Sequence, residues 1–312
     1  MSFTNPVQPA PEPRRWAPAH ALPRPEDRPG PGEVAVWLLR IPPSAAAAAA
    51  VAEGTLDERE RERAARLRSE VARERYVTSH VGLRTLLGGY LGIAPGEVAF
   101  TRETCGMPDC DKPHGRPALA GEDTLHFSLS HSGDAALCAV AGVPVGADIE
   151  ERDPERVGAR LTGLIGQLHP GERAAIGALP EELRAEAFLG CWVRKEAYLK
   201  GIGTGLPGGI GAHHVGLAEG LAPADAPPGP SGWSFADLDA PPGYHAAVAV
   251  SDGAVTDETV RGETVRGEAV RDGAVRDGAV RDAAVRDGAV RDGAALGGAA
   301  RPVVTLAGLR LG

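Results

Sequence analysis

The chain has 312 residues, 43% hydrophobic but only 4% aromatic, which suffices for one large or two ordinary domains with cores of Leu, Val and Ala. A formal net charge of −9 argues against broad nucleic-acid binding, and no apolar run approaches the ~20 residues of a membrane span. The N-terminus lacks the continuous apolar stretch of a signal peptide, and four cysteines (Cys105, Cys110, Cys138, Cys191) are too few for a disulfide scaffold, so the expectation is a soluble, cytoplasmic protein.

Residues 1–32 are rich in proline and read as a disordered tail, because such a segment supports neither a helix nor a central strand. Order is expected from Glu33–Arg40, EVAVWLLR, a strand. An alanine run after Ser44 is expected to be helical, and Thr55 with Glu58 has the T-x-x-E spacing of a capping box. The next segment, DERERERAARLRSEVARERYVTSHVGLRTLLGGYLGI, reads as strongly helical, with Leu67, Val71, Tyr76, Val77, Val81, Leu86, Leu87 and Tyr90 on its apolar face. Arg59, Arg63, Arg66 and Arg84 offer cations near one side; an ordinary solvated face of Glu/Arg pairs accounts for them equally well. A strand over Glu97–Arg102 precedes a loop in which Cys105, Cys110 and His114 suggest zinc. A structural site wants a fourth ligand, which is not evident, and two free thiols are the alternative.

His126–Ser132 and Ala135–Val140 form a predicted hairpin with Gly133-Asp134 as its turn. Ser130 and His131 are adjacent and so point to opposite faces of their strand, which argues against a Ser–His nucleophile pair. Val143–Glu150 reads as a further strand. Its Asp148 and Glu150 are two apart and share one face, a costly arrangement unless a cation lies between them. That spacing suits Mg²⁺; a solvated strand end running into a helix capped by Asp153 and Pro154 suits it as well.

Helices are predicted over 154–167, 171–178 and 180–200. In the last, Phe188, Trp192, Glu196 and Lys200 stand four apart on one face, and Gly201, Gly203 and Gly205 follow. The chain has only three lysines (Lys112, Lys195, Lys200) against thirty arginines, and two lie here, where compact, strongly hydrated cations are an option. A surface Glu196–Lys200 pair is the plainer one. Strands are predicted at 213–217, 233–238 and 244–250. From Val255 to Gly293 the chain repeats AVRDG-like pentads, too short for a solenoid unit and read as a low-complexity insertion without a core. Arg301–Leu311 resumes strand character, so the repeat lengthens the turn between the last two strands.

Four motifs, GRPAL at 115–119, FSLSHSG at 127–133, GADIE at 146–150 and FLGCWVRKEAYLKGIGTGL at 188–206, together resemble the Sfp-type 4′-phosphopantetheinyl transferase family. GADIE departs from the commoner pattern at Ala147, where Val or Ile usually stands, on the face away from the carboxylates. The resemblance covers roughly residues 33–250 and the final strand. It implies an α+β fold of two similar halves related by pseudo-two-fold symmetry, with coenzyme A in the cleft between them. On this reading residues 1–32 are the tail, 33–142 and 143–250 the two halves, 251–300 the repeat insertion and 301–312 the returning strand. The implied activity moves the phosphopantetheine arm of coenzyme A to a serine of an apo acyl or peptidyl carrier protein and releases adenosine 3′,5′-bisphosphate. Asp148, Glu150 and Glu196 match the family's Mg²⁺ ligands. Lys195 and Lys200 match lysines near the phosphates, and Ser130 and His131 match residues that touch them. Arg63, Arg84 and Arg116 lie where the family has cations for the nucleotide end. For the proton of the acceptor serine, Glu172 matches a proposed general base, with Glu196 its competitor. A monomer is expected, with no nucleic-acid or membrane partner. The rival readings are a coenzyme A- or carrier-binding protein without transfer activity and another Mg²⁺-dependent phosphoryl enzyme.

Overall fold

Two sheets stack face to face, and each carries one long helix on its outer side. The computed structural model describes residues 14–16, 22–30, 32–104, 115–153, 160–205, 209–218, 220–223 and 226–252. The first sheet holds β1 (Arg14–Trp16), β2 (Val34–Arg40), β5 (His126–Ser132) and β6 (Ala135–Ala141) in the order β1-β2-β6-β5. The second holds β7 (Val145–Glu151), β8 (Trp233–Asp237) and β9 (Tyr244–Ser251) in the order β7-β9-β8. A two-strand ribbon, β3 (Phe100–Arg102) with β4 (Pro117–Leu119), lies apart. All pairings are antiparallel except β1 with β2.

Strand alternation builds the layers. Val36, Leu38, Leu137 and Ala139 of the first sheet meet Val145, Ala147, Ile149, Val248 and Val250 of the second in one shared core. The alternate residues face outward. On one side Trp37, Phe127, Cys138 and Val140 receive Leu83, Leu86, Leu87 and Tyr90 of helix α3 (Glu70–Leu91). On the other, Ala249 receives Phe188, Cys191 and Tyr198 of helix α6 (Glu181–Ile202), joined by Leu168, Ile176, Val215 and Leu217. Helices α1 (Ile41–Thr55) and α2 (Glu58–Arg66) precede α3, while α4 (Leu161–Ile165) and α5 (Pro170–Ala178) precede α6. The fold is therefore α+β. Among the described residues no helix is long and apolar enough to cross a membrane.

Several expectations need correction. The N-terminal segment is not a disordered tail throughout: residues 14–16 form an edge strand, and Pro23 is buried over the Gly89 backbone. Arg28 Nε donates to the Tyr90 carbonyl at 3.0 Å and Arg28 pairs with Glu122. Arg14–Trp16 contains no proline and so can join a ladder, and the prolines around it do not prevent the segment from packing on a helix. The helical stretch after Thr55 is two helices, broken at Leu67 and restarted by Ser69, whose Oγ accepts from Ala72 N. The capping box sits two residues later than expected, on Asp57 and Glu60. Residues 213–217 join no sheet, and their backbone groups bond to side chains of α5 and α6. The Lys195 ammonium donates to His213 O, Arg194 donates to Leu217 O, and Val215 N donates to Glu172. The cysteine loop at 105–114, the start of the helix expected at 154–167, the pentad repeat and the final strand lie outside the described residues.

Candidate active site

The site is built along the free edge of β7, where it runs beside β5. That edge is closed by hydroxyls, not by a ladder. Ser128, Ser130 and Ser132 alternate along β5 and so share one face. Ser128 Oγ accepts from Ala147 N at 3.0 Å and Ser132 Oγ accepts from Glu151 N at 3.0 Å. Between them Ser130 Oγ donates to Asp148 Oδ1 at 2.6 Å, and Ser132 Oγ donates to Glu150 Oε2 at 2.8 Å.

Helix α6 comes to this edge because two glycines let backbones touch. A Cβ on Gly146 would collide with the Ala197 carbonyl, and one on Gly201 would lie 2.6 Å from the Trp233 ring. The close approach delivers Lys200 to Asp148, with Nζ 2.5 Å from Oδ1, 2.9 Å from Ser130 Oγ and 3.3 Å from Ala147 O. Gly203, at φ 80°, ends the helix in the left-handed region. Arg116 lies against this turn, its guanidinium donating to Gly201 O at 2.9 Å and to Glu103 at 2.7 Å.

Electrostatics sets this cluster apart. Burial pushes the Glu150 carboxyl up to about 7, helped by the charges of Asp148 and Glu196 and opposed by the Ser132 hydrogen bond and Lys200. Asp148 is almost fully buried, and its Oδ2 has no hydrogen-bond partner. As the side chains stand, no group of three acidic, imidazole or thiol side chains among the described residues is arranged to hold a metal. The donor chemistry nonetheless fits a hard divalent cation: the charges of Asp148 and Glu196 help to raise the Glu150 carboxyl, and one buried oxygen of Asp148 is unsatisfied.

The structure thus brings Asp148, Ser130 and Lys200 into contact, ties Glu150 to Ser132 beside them, sets Glu196 close enough to act on Glu150, and places Arg116 at the adjoining turn. His131 is exposed on the opposite face of β5, and Arg63 is exposed on α2, near Tyr76. Three expected site residues lie enclosed by other partners. Arg84 is 1% exposed, with Nε 2.6 Å from Glu60, another nitrogen 2.8 Å from Asp57, a third donating to Val98 O, and its face over the Phe100 ring. Lys195 is 2% exposed and is spent on Glu172 Oε2 at 2.7 Å and His213 O at 2.5 Å. Glu172 is wholly buried, and both its oxygens are engaged, by Val215 N on one side and by Lys195 and His169 N on the other. A carboxylate so enclosed is bonded on both oxygens to the protein itself. Ser128 and Ser132 were missed. Their signal was a row of hydroxyls at period two along β5.

The α+β sandwich thus gathers buried carboxylates and a lysine along one sheet edge. Comparison with known proteins gives its family. The model of the 4′-phosphopantetheinyl transferase superfamily matches residues 144–249, a span that includes β7 and α6. The 4′-phosphopantetheinyl transferase HetI of Nostoc sp. (strain PCC 7120) is 34% identical over 202 residues, covering 63% of this chain and 79% of the relative. A phosphopantetheinyl transferase of Thraustochytrium sp. is 31% identical over 192 residues, 58% of this chain and 64% of that one. Sfp of Bacillus subtilis (strain 168) is 25% identical over 169 residues, 54% and 74% of the two chains. The chain belongs to the 4′-phosphopantetheinyl transferase superfamily and is an enzyme of that type.

Proposed function

We propose that the chain transfers the 4′-phosphopantetheine arm of coenzyme A to a serine of an apo acyl or peptidyl carrier protein, with Asp148, Glu150 and Glu196 as the groups that hold Mg²⁺. The observation that carries this reading is Asp148. One of its oxygens is fixed by Ser130 and Lys200, the other is buried without a partner, and two more carboxylates stand by. When bound, Mg²⁺ would offset the charge of the coenzyme's pyrophosphate.

In the transfer the acceptor serine oxygen bonds to the phosphorus that bears the pantetheine arm. The bond from that phosphorus to the bridging oxygen breaks, and its electron pair leaves with adenosine 3′,5′-bisphosphate. Glu196 takes the serine proton, since Glu172 is enclosed. Lys200 supplies an ammonium for the developing charge, and Arg116 brings a cation of the first half to the Gly201–Gly203 turn. Residues 33–142 and 143–250 act as the two halves, a reading supported by the core they share. Coenzyme A lies along their seam, with His131 and Arg63 toward its nucleotide end. The formal net charge of −9 supports a role without nucleic acid. A cytoplasmic monomer without a membrane partner completes the reading.

Mass spectrometry of apo-carriers incubated with the full chain, coenzyme A and Mg²⁺ tests it. The expected result is a gain of about 340 Da on one carrier serine, abolished by EDTA and restored by Mg²⁺. Tight coenzyme A binding with no mass gain on either acyl or peptidyl carriers would favour a binding protein, and gain in excess EDTA would remove the metal.

A further inference from the structure

The hydroxyl row of β5 does more than close an edge. Ser132 Oγ accepts from Glu151 N at 3.0 Å, so its one proton is directed to Glu150 Oε2, 2.8 Å away. Ser130 repeats the pattern: it accepts from Lys200 Nζ at 2.9 Å and gives its proton to Asp148 Oδ1 at 2.6 Å. Each rotor is held from one side and aimed at one carboxylate oxygen. Each carboxylate is thereby pinned through a single oxygen. For Asp148 the other oxygen is the buried, unpartnered Oδ2. The serines belong to the first sheet and the carboxylates to the second, so the acidic edge is oriented by the opposite half of the molecule.

We propose that Ser132 is a positioning residue for the cation site: its hydroxyl fixes the rotamer of Glu150 across the seam between the halves. The inference rests on the reading of Asp148, Glu150 and Glu196 as the Mg²⁺-holding group. Groups that hold a ligand from behind typically change metal affinity by about 10- to 100-fold when removed. The seam also explains why Glu150 must be held. It is the carboxylate of the three nearest the end of β7, where the strand runs out at Glu151. Gly133 and Asp134, which follow Ser132, are tied down by Tyr244, whose hydroxyl accepts from Asp134 N at 2.9 Å. The hairpin end that carries Ser132 is therefore fixed to the second sheet as well.

The test compares Ser132→Thr with Ser132→Val, two side chains of one shape that differ by a hydroxyl. Mn²⁺ serves as the probe, its affinity measured on the full chain by water-proton relaxation without coenzyme A or carrier, with a thermal melt of each variant beside it. The account expects Ser132→Val to bind Mn²⁺ at least about tenfold more weakly than wild type and Ser132→Thr to stay within about threefold. In transfer assays Ser132→Val should need correspondingly more Mg²⁺ for half-activation, with its maximal rate at saturating Mg²⁺ close to that of Ser132→Thr. A role in folding alone would lower the melting temperature of Ser132→Val but leave the Mn²⁺ affinities of the two variants equal, and equality overturns the proposal. Wild-type protein that takes up no Mn²⁺ would overturn both this inference and the metal reading beneath it, so the two failures are distinguishable.

Discussion

Helices α3 and α6 are built alike and used differently. Each has 22 residues, each ends on a glycine in the left-handed region, and each covers the outer face of its sheet. Each carries a buried cation as its fifteenth residue, Arg84 in one and Lys195 in the other. Each cation pairs with the third-position glutamate of a capping box on the preceding helix, Glu60 on α2 and Glu172 on α5. Each also donates to a carbonyl of the segment beyond its own helix, Val98 or His213. The two pairs are one structural staple used twice, fixing a short helix, a long helix and an extended segment together.

The difference begins one residue later. Glu196 and Lys200 follow Lys195, whereas Thr85 and Gly89 stand at the same offsets from Arg84. Thr85 bonds back to Val81 O in its own helix, and Gly89 leaves room for Pro23. The first half thus covers with its N-terminal segment the stretch of helix that the second half turns into chemistry. Burial and charge alone do not separate the two helices; on the second, Lys200 reaches an Asp148 that keeps one buried oxygen without a partner.

The largest effect that could break this comparison is on stability. Removing one partner of a buried pair strands the other, so Lys195→Met and Arg84→Met should each cost about 3–5 kcal/mol in denaturant unfolding. Glu172→Leu with Lys195→Met, replacing both charges, should recover most of that loss, as should Glu60→Leu with Arg84→Met. Lys195→Met unfolding at the wild-type midpoint would show that the second pair is not a staple.

A smaller effect sharpens the contrast from the side of the acidic edge. The carboxyl of Glu150 holds its proton more tightly in the folded chain than its ordinary value of 4.5 allows, up to about 7. Its contribution to stability is therefore full below the unfolded value and is lost as pH rises through the folded one. In EDTA the melting temperature of wild type relative to Glu150→Gln should fall by a few degrees between about pH 5 and about pH 8. Saturating Mg²⁺ should suppress the fall. A difference that does not change with pH would mean that neither burial nor the charges of Asp148 and Glu196 raise the Glu150 carboxyl.

Much of the frame was legible from pattern. The β5–β6 hairpin, its Gly133-Asp134 turn, the long α6 and the shared face of Asp148 and Glu150 follow from periodicity and turn chemistry. The rest depended on contacts distant in sequence. The T-x-x-E spacing pointed to Thr55 and Glu58, but the box used is on Asp57 and Glu60, which also receive Arg84, 24 or more residues away. Nothing local distinguishes Lys195 from Lys200, although one is buried on Glu172 and the other reaches Asp148. Residues 213–217 alternate like a strand, yet their partners are side chains of two helices. Ser132 acquires meaning only when β5 is laid beside β7.

The central claim is that Glu196 works at the reacting centre while Glu172 and Lys195 hold the scaffold. Single-turnover transfer to an apo-carrier at saturating coenzyme A and Mg²⁺ measures it most directly, comparing Glu196→Gln with the double variant Glu172→Leu, Lys195→Met at a temperature where both are folded. The account predicts a loss of at least about 10²-fold for Glu196→Gln and a rate within about tenfold of wild type for the double variant. A folded double variant that loses about 10²-fold or more, beside a Glu196→Gln enzyme that keeps its rate, would return the base to Glu172 and contradict the assignment.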